Sequence, residues 1–151
     1  MLPATTQRVS AYTSEVVNRR ILRDTRWRVD WFERHPQFIA QRLSELDEEW
    51  DIERILETNA SGLIILGSLL ALTQSSRRWA LLPLGVSAFL LQHALQGWCP
   101  PLPILRRLGF RTESEINVER VALKALRGDF GLLESGRDDR RASHALMAAQ
   151  S

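Results

Sequence analysis

A length of 151 residues is that of one ordinary domain, and 44% hydrophobic with 25% charged residues reads, as an average, like a soluble globular protein. The average conceals a segregated chain: from Thr58 to Trp98 the only charged residues are Arg77 and Arg78, whereas acids and bases interleave on both sides. A net charge of +2 built this way excludes a nucleic-acid footprint, and a lone cysteine, Cys99, excludes an intrachain disulfide.

Residues 1–13 carry no sustained periodicity and predict a flexible tail, and their polar start predicts no signal peptide. Over 14–50 the pattern is amphipathic and helical. Val17, Ile21, Thr25, Val29 and Phe32 share one face of a first helix that ends near His35, and Pro36 suits the first turn of a second. Ile39, Leu43, Leu46 and Trp50 form the apolar stripe of that second helix. The opposite faces hold Arg19, Arg20, Arg23, Arg26 and Arg28 on the first and Glu45, Asp47, Glu48 and Glu49 on the second. Solvated faces explain both, although an Arg-rich helix that also bears Trp27 and Trp31 suits an anionic membrane surface.

Asp51 is a helix cap, and the helix it opens runs into an uncharged stretch over about 58–73, near the short limit of a membrane span. The stretch over about 80–98 is also uncharged, and its 19 residues make a helix about 28 Å long. Trp79 and Trp98 bracket it where an aromatic belt sits. Joined by a short turn with Arg77 and Arg78, the two read as one inserted hairpin; a buried hairpin of a soluble all-α module is the competing reading. Small and polar residues recur along each span. Ala60, Gly67 and Ala71 share one side of the first, and Gly85, Ala88, Gln92 and Gln96 one side of the second, which predicts a helix-packing face. Amides are costly against lipid, so that face is expected to meet protein, within the hairpin or across a homodimer.

After Trp98 the run Cys-Pro-Pro-Leu-Pro ends the helix. Ile104 to Leu108 predicts one interfacial turn with Arg106 and Arg107 snorkelling to headgroups. Thr112-Glu-Ser-Glu115 matches a capping box and opens an amphipathic helix within 113–130, with Gly128 at its end. Residues 131–151 are charged and rich in small residues, which predicts disorder. The flanks hold Arg42, Arg54, Arg106, Arg107 and Arg111 within about 20 residues of the spans, against Arg77 and Arg78 in the turn, so both termini are expected in the cytoplasm. The expected fold is therefore all-α: a two-span transmembrane hairpin flanked by cytoplasmic amphipathic helices.

Residues 51–112 resemble a known pattern. Asp51-Ile-Glu-Arg-Ile-Leu56, a Gly- and Leu-rich first span, a short turn reaching Trp79, the exit Gly97-Trp98-Cys99-Pro100 and Leu105-Arg-Arg-Leu-Gly109 together look like the YgaP-like transmembrane domain. That two-helix family of unknown function is fused, in some bacterial proteins, to a rhodanese domain. The resemblance implies a helical hairpin of the bacterial inner membrane that dimerises through its spans. The chain has no rhodanese domain, so that domain's sulfurtransferase site is not carried over.

The candidate reactive group is Cys99, between Trp98 and Pro100. A thiol is nucleophilic only when deprotonated, and Arg106, Arg107 and His93 are its neighbours in sequence. Either it is a packed thiol at a helix end, or it carries sulfur or senses redox state for a separate sulfurtransferase. No catalytic constellation, zinc spacing or phosphate loop appears, so no enzyme activity, cofactor or metal is expected. The predicted role is a non-enzymatic membrane protein that binds lipid and associates as a homodimer or as a subunit of a membrane complex.

Overall fold

A computed structural model describes residue 4 and residues 6–74 and 77–130. Among these residues all regular structure is helical. The helices are α1 (Arg8–Ala11), α2 (Glu15–Glu33), α3 (Ile39–Glu48), α4 (Ile52–Thr73), α5 (Leu81–Gln96), α6 (Leu102–Leu108) and α7 (Glu113–Arg127). Single 3-10 turns at Pro36–Phe38 and Arg77–Ala80 precede α3 and α5. The segment 131–151, expected to be disordered, lies outside the described residues.

Contacts divide the chain into two units, one drawn from 1–23 and 50–115, the other from 24–49 and 116–151. In the first unit, α4 opens on Asp51, whose carboxylate accepts the Arg54 backbone N–H at 2.7 Å. At 22 residues it is about 33 Å long. It is the one helix among the described residues long and apolar enough to cross a membrane, and only 11% of its most apolar window is buried. The second expected span is shorter. Pro83 sits in the first turn of α5, where its missing N–H costs nothing, and the helix stops after 16 residues at Gly97, in the left-handed region at φ +81.

α4 and α5 pack against each other, closest at Gly67, where a Cβ would stand 2.7 Å from Pro83 Cδ. Below this contact Val9, Ile52, Leu56, Cys99 and Leu102 form the core of the unit, with Leu105 against it. Val9, only 2% exposed, changes the expectation for residues 1–13: part of that segment is helical and anchored. The reason is Gly97, which lacks a Cβ and lets the Arg8 backbone approach to 2.6 Å of where one would be.

In the second unit Ile39, Leu43 and Leu46 of α3 pack with Ile116 and Leu123 of α7 and with Phe32. Trp50 does not continue the α3 stripe as the spacing predicts. The helix ends at Glu48 and Trp50 is exposed in the first unit, with the Arg54 guanidinium 4.4 Å above its ring. Trp31 is stacked on His35, with ring centroids 4.1 Å apart.

Candidate functional site

α4, α5 and the Pro-rich segment before α6 line a half-open cavity of about 350 Å³. Its walls are almost wholly apolar, from Leu56, Ala60 and Leu63 on one side and Val86, Phe89 and Leu90 on the other. His93 and Cys99 also line it. His93 is 5% exposed, and neither ring nitrogen has a hydrogen-bond partner. An orphaned buried polar atom costs about 1–3 kcal/mol, and both nitrogens are closed off from the groove, whose surface is almost wholly apolar.

Cys99 shares the cavity without the chemistry of a reactive thiol. Burial pushes its pKa up, only partly offset by the Leu102 backbone N–H, whereas an activated cysteine needs its thiolate stabilised. The arginines that follow it in sequence supply no such stabilisation. Arg107 is exposed, and Arg106 is spent elsewhere.

Arg106 corrects the snorkelling expectation. It is 1% exposed and directs every one of its five N–H donors inward. Two 2.7 Å hydrogen bonds reach the two oxygens of Glu115, and others reach Thr13 Oγ1 at 3.1 Å, Asn18 Oδ1 at 3.0 Å and the Phe110 carbonyl at 3.0 Å. Glu115 also performs its expected capping role, accepting the Thr112 N–H at 2.9 Å while its own N–H donates to Thr112 Oγ1 at 3.2 Å. Although burial favours the neutral acid, the hydrogen bonds from Arg106 and Thr112 prevail and hold this carboxyl below the usual range. The second unit has a counterpart in Glu119, fully buried, which accepts from Arg28 Nε at 3.0 Å and Arg42 Nε at 2.8 Å. Arg28 therefore turns away from the Arg-rich face on which the helical spacing places it.

The expected packing residues differ between the two helices in how far they are covered. Gly67 is buried at the α4–α5 contact and Ala60 lines the cavity, with Ala71 half-buried. On α5, Gly85 and Gln92 are half-buried, whereas Ala88 and Gln96 are exposed. The α5 side that meets α4 carries instead Leu82, Pro83 and Val86 with Leu90 and His93 around the cavity. The sequence does not show the groove, the Arg106 partner of Glu115 or the burial of Glu119. Glu119 left one signal, an acid in register with Ile116 and Leu123 on the apolar side of α7.

No group of three or more His, Cys, Asp or Glu disposed to hold a metal occurs among the described residues. What fold and site define is an all-α protein with one helix suited to a membrane and an apolar cavity beside it. No family model, curated protein or solved structure matches the chain.

Proposed function

We propose that this chain is a non-enzymatic integral membrane protein of the bacterial inner membrane, whose α4–α5 hairpin acts as an association module for itself or a larger complex. The observation that carries the reading is the exposure of α4. A helix apolar enough to be the core of a soluble protein should be mostly covered, yet 11% of its apolar window is buried, and Ile65, Leu66, Leu69 and Leu72 face outward. On α5, Leu81, Leu84, Leu91 and Leu95 do the same. The 16 residues of α5 give about 24 Å. Trp79 and Ala80, the uncharged end of the turn before it, add about 4 Å, which brings the span near a bilayer core of about 30 Å and keeps Arg77 and Arg78 outside it. The YgaP-like resemblance supports the same two-span arrangement, and the excess of Arg in the flanks over the turn favours both termini in the cytoplasm.

Association is favoured by the outward placement of Ala88 and Gln96, a small residue and an amide that gain more from a protein neighbour than from lipid. Alkaline carbonate extraction tests the membrane reading: the chain is expected in the pellet, and recovery in the supernatant overturns it. In a Cys99→Ser background, Gln96→Cys is expected to give disulfide-linked dimers when native membranes are treated with copper phenanthroline and oxygen as the oxidant. A chain that stays monomeric there, and purifies alone, removes the association role.

A further inference from the structure

We propose that α6 is an interfacial helix seated in the phospholipid leaflet at the Gly97 end of the hairpin, with Ile104 and Leu108 among the acyl chains and Arg107 on the lipid phosphates. This contact requires that α4 and α5 span the bilayer, as proposed above, and adds a third element that touches lipid. The height of α6 is set by its inner side. Leu102 is fully buried in a core with Ile52 and Leu56, and Leu105 borders the same groove as Leu56, Asn59 and Ala60. α4 changes character at that height: Glu53, Arg54 and Glu57 come before it, and no charge follows from Thr58 to Thr73. In a spanning hairpin this is the boundary between headgroups and hydrocarbon. The roll of α6 is set by Arg106, whose five donors all point inward beside the buried Leu102. The opposite side is thereby turned out. It carries Ile104 at 62% exposure and Leu108 at 70%, one turn apart, with Arg107 exposed beside them. Two large apolar side chains next to a long cation make the pattern of a helix lying in an interface, where the arginine stem follows the acyl chains and the guanidinium reaches a phosphate as a fork. From Gly97 to Thr112 the chain has no Asp or Glu, so no carboxylate on this segment repels lipid phosphates. A protein neighbour would cover the apolar pair equally well, but the pair stands at the height where, in a spanning hairpin, acyl chains begin.

The test uses the full chain in a Cys99→Ala background, in nanodiscs of phosphatidylcholine and phosphatidylglycerol. Leu108→Cys, and Ile65→Cys on the outward side of α4, are labelled one at a time with the environment-sensitive dye NBD. The lipids carry a doxyl quencher either just below the headgroup or near the chain end. The Leu108 probe is expected to emit at the short wavelengths of an apolar site and to lose more fluorescence to the shallow quencher, whereas the Ile65 probe loses more to the deep one. Arg107→Glu sets a carboxylate against the phosphates and should weaken shallow quenching at Leu108 while leaving the Ile65 probe unaltered. All three altered positions are exposed, so none of these changes disturbs a packed core. Quenching at Ile65 but not at Leu108 overturns the α6 contact and keeps the span, whereas loss at both sites overturns the span and the contact together. A Leu108 probe that emits at short wavelengths yet is quenched by neither lipid is covered by protein, which overturns the proposal. Undiminished quenching in Arg107→Glu overturns the phosphate contact.

Discussion

Replacing Arg106 with Met keeps an unbranched apolar stem and removes the charge and all five of the donors. Glu115, whose side chain is 24% exposed, then loses both of its 2.7 Å hydrogen bonds, and Asn18 Oδ1 and the Phe110 carbonyl lose theirs. Breaking a buried ion pair from one side costs about 3–5 kcal/mol. Because Glu115 retains some access to water and its Thr112 hydrogen bonds, the lower end, about 3 kcal/mol, is the appropriate figure. In a chain of this length that lowers Tm by roughly 6–12 °C. The assay is thermal unfolding in dodecyl maltoside followed by Trp fluorescence. The double variant Arg106→Met with Glu115→Leu is expected to recover most of the loss, since it strands no charge. Because the folded-state pKa of Glu115 is depressed, its contribution is present at neutral pH and is lost as pH falls through and below the ordinary carboxylate range near about 4.3. The wild type should therefore lose more stability on acidification than Arg106→Met does. A single variant within about 0.5 kcal/mol of the wild type, or a double variant no better than the single, refutes the reasoning.

Glu119→Ala leaves Arg28 and Arg42 without their shared carboxylate, and about 3 kcal/mol of lost local stability should appear as faster amide exchange in α3 and α7; unchanged exchange contradicts the pairing. Gly97→Ala adds a Cβ within 2.6 Å of the Arg8 backbone, so α1 should detach and trypsin should cut after Arg8 more readily. Gly109→Ala bears a similar left-handed cost of about 1–2 kcal/mol with no atom within 4 Å of the new Cβ, and should leave that cleavage unaltered. Native Cys99 should react with N-ethylmaleimide at least about tenfold more slowly than in the unfolded chain; equal rates would show an accessible thiol.

Local signals read well because local physics decides them. Asp51 caps α4, Thr112 and Glu115 close their box, and Ile39, Leu43 and Leu46 lie inward, each within one or two turns of sequence. Side chains whose partners are remote were misplaced. Arg106 on its own is indistinguishable from any interfacial arginine, and only Thr13 and Asn18, some 90 positions away, make it internal. The length of the second helix was overestimated because an uncharged run says nothing of where glycine stops it, and Gly97 does so at φ +81. In sequence His93 stands out only as a neighbour of Cys99, yet packing buries it beside the groove, because a helix face is chosen by its neighbour and no neighbour is visible in one sequence.

The partners of Arg106 also fix an order of events. Thr13 and Asn18 leave the ribosome first, and Arg106 follows them by 93 and 88 positions. At about 5–20 residues per second that is a wait of roughly 5–20 s, during which the start of α2 has no guanidinium to receive and α1 has no Gly97 to rest on. The segment that holds Thr13 and Asn18 is thus made well before the guanidinium that fixes it, and it finds its place only after α4 and α5 have emerged.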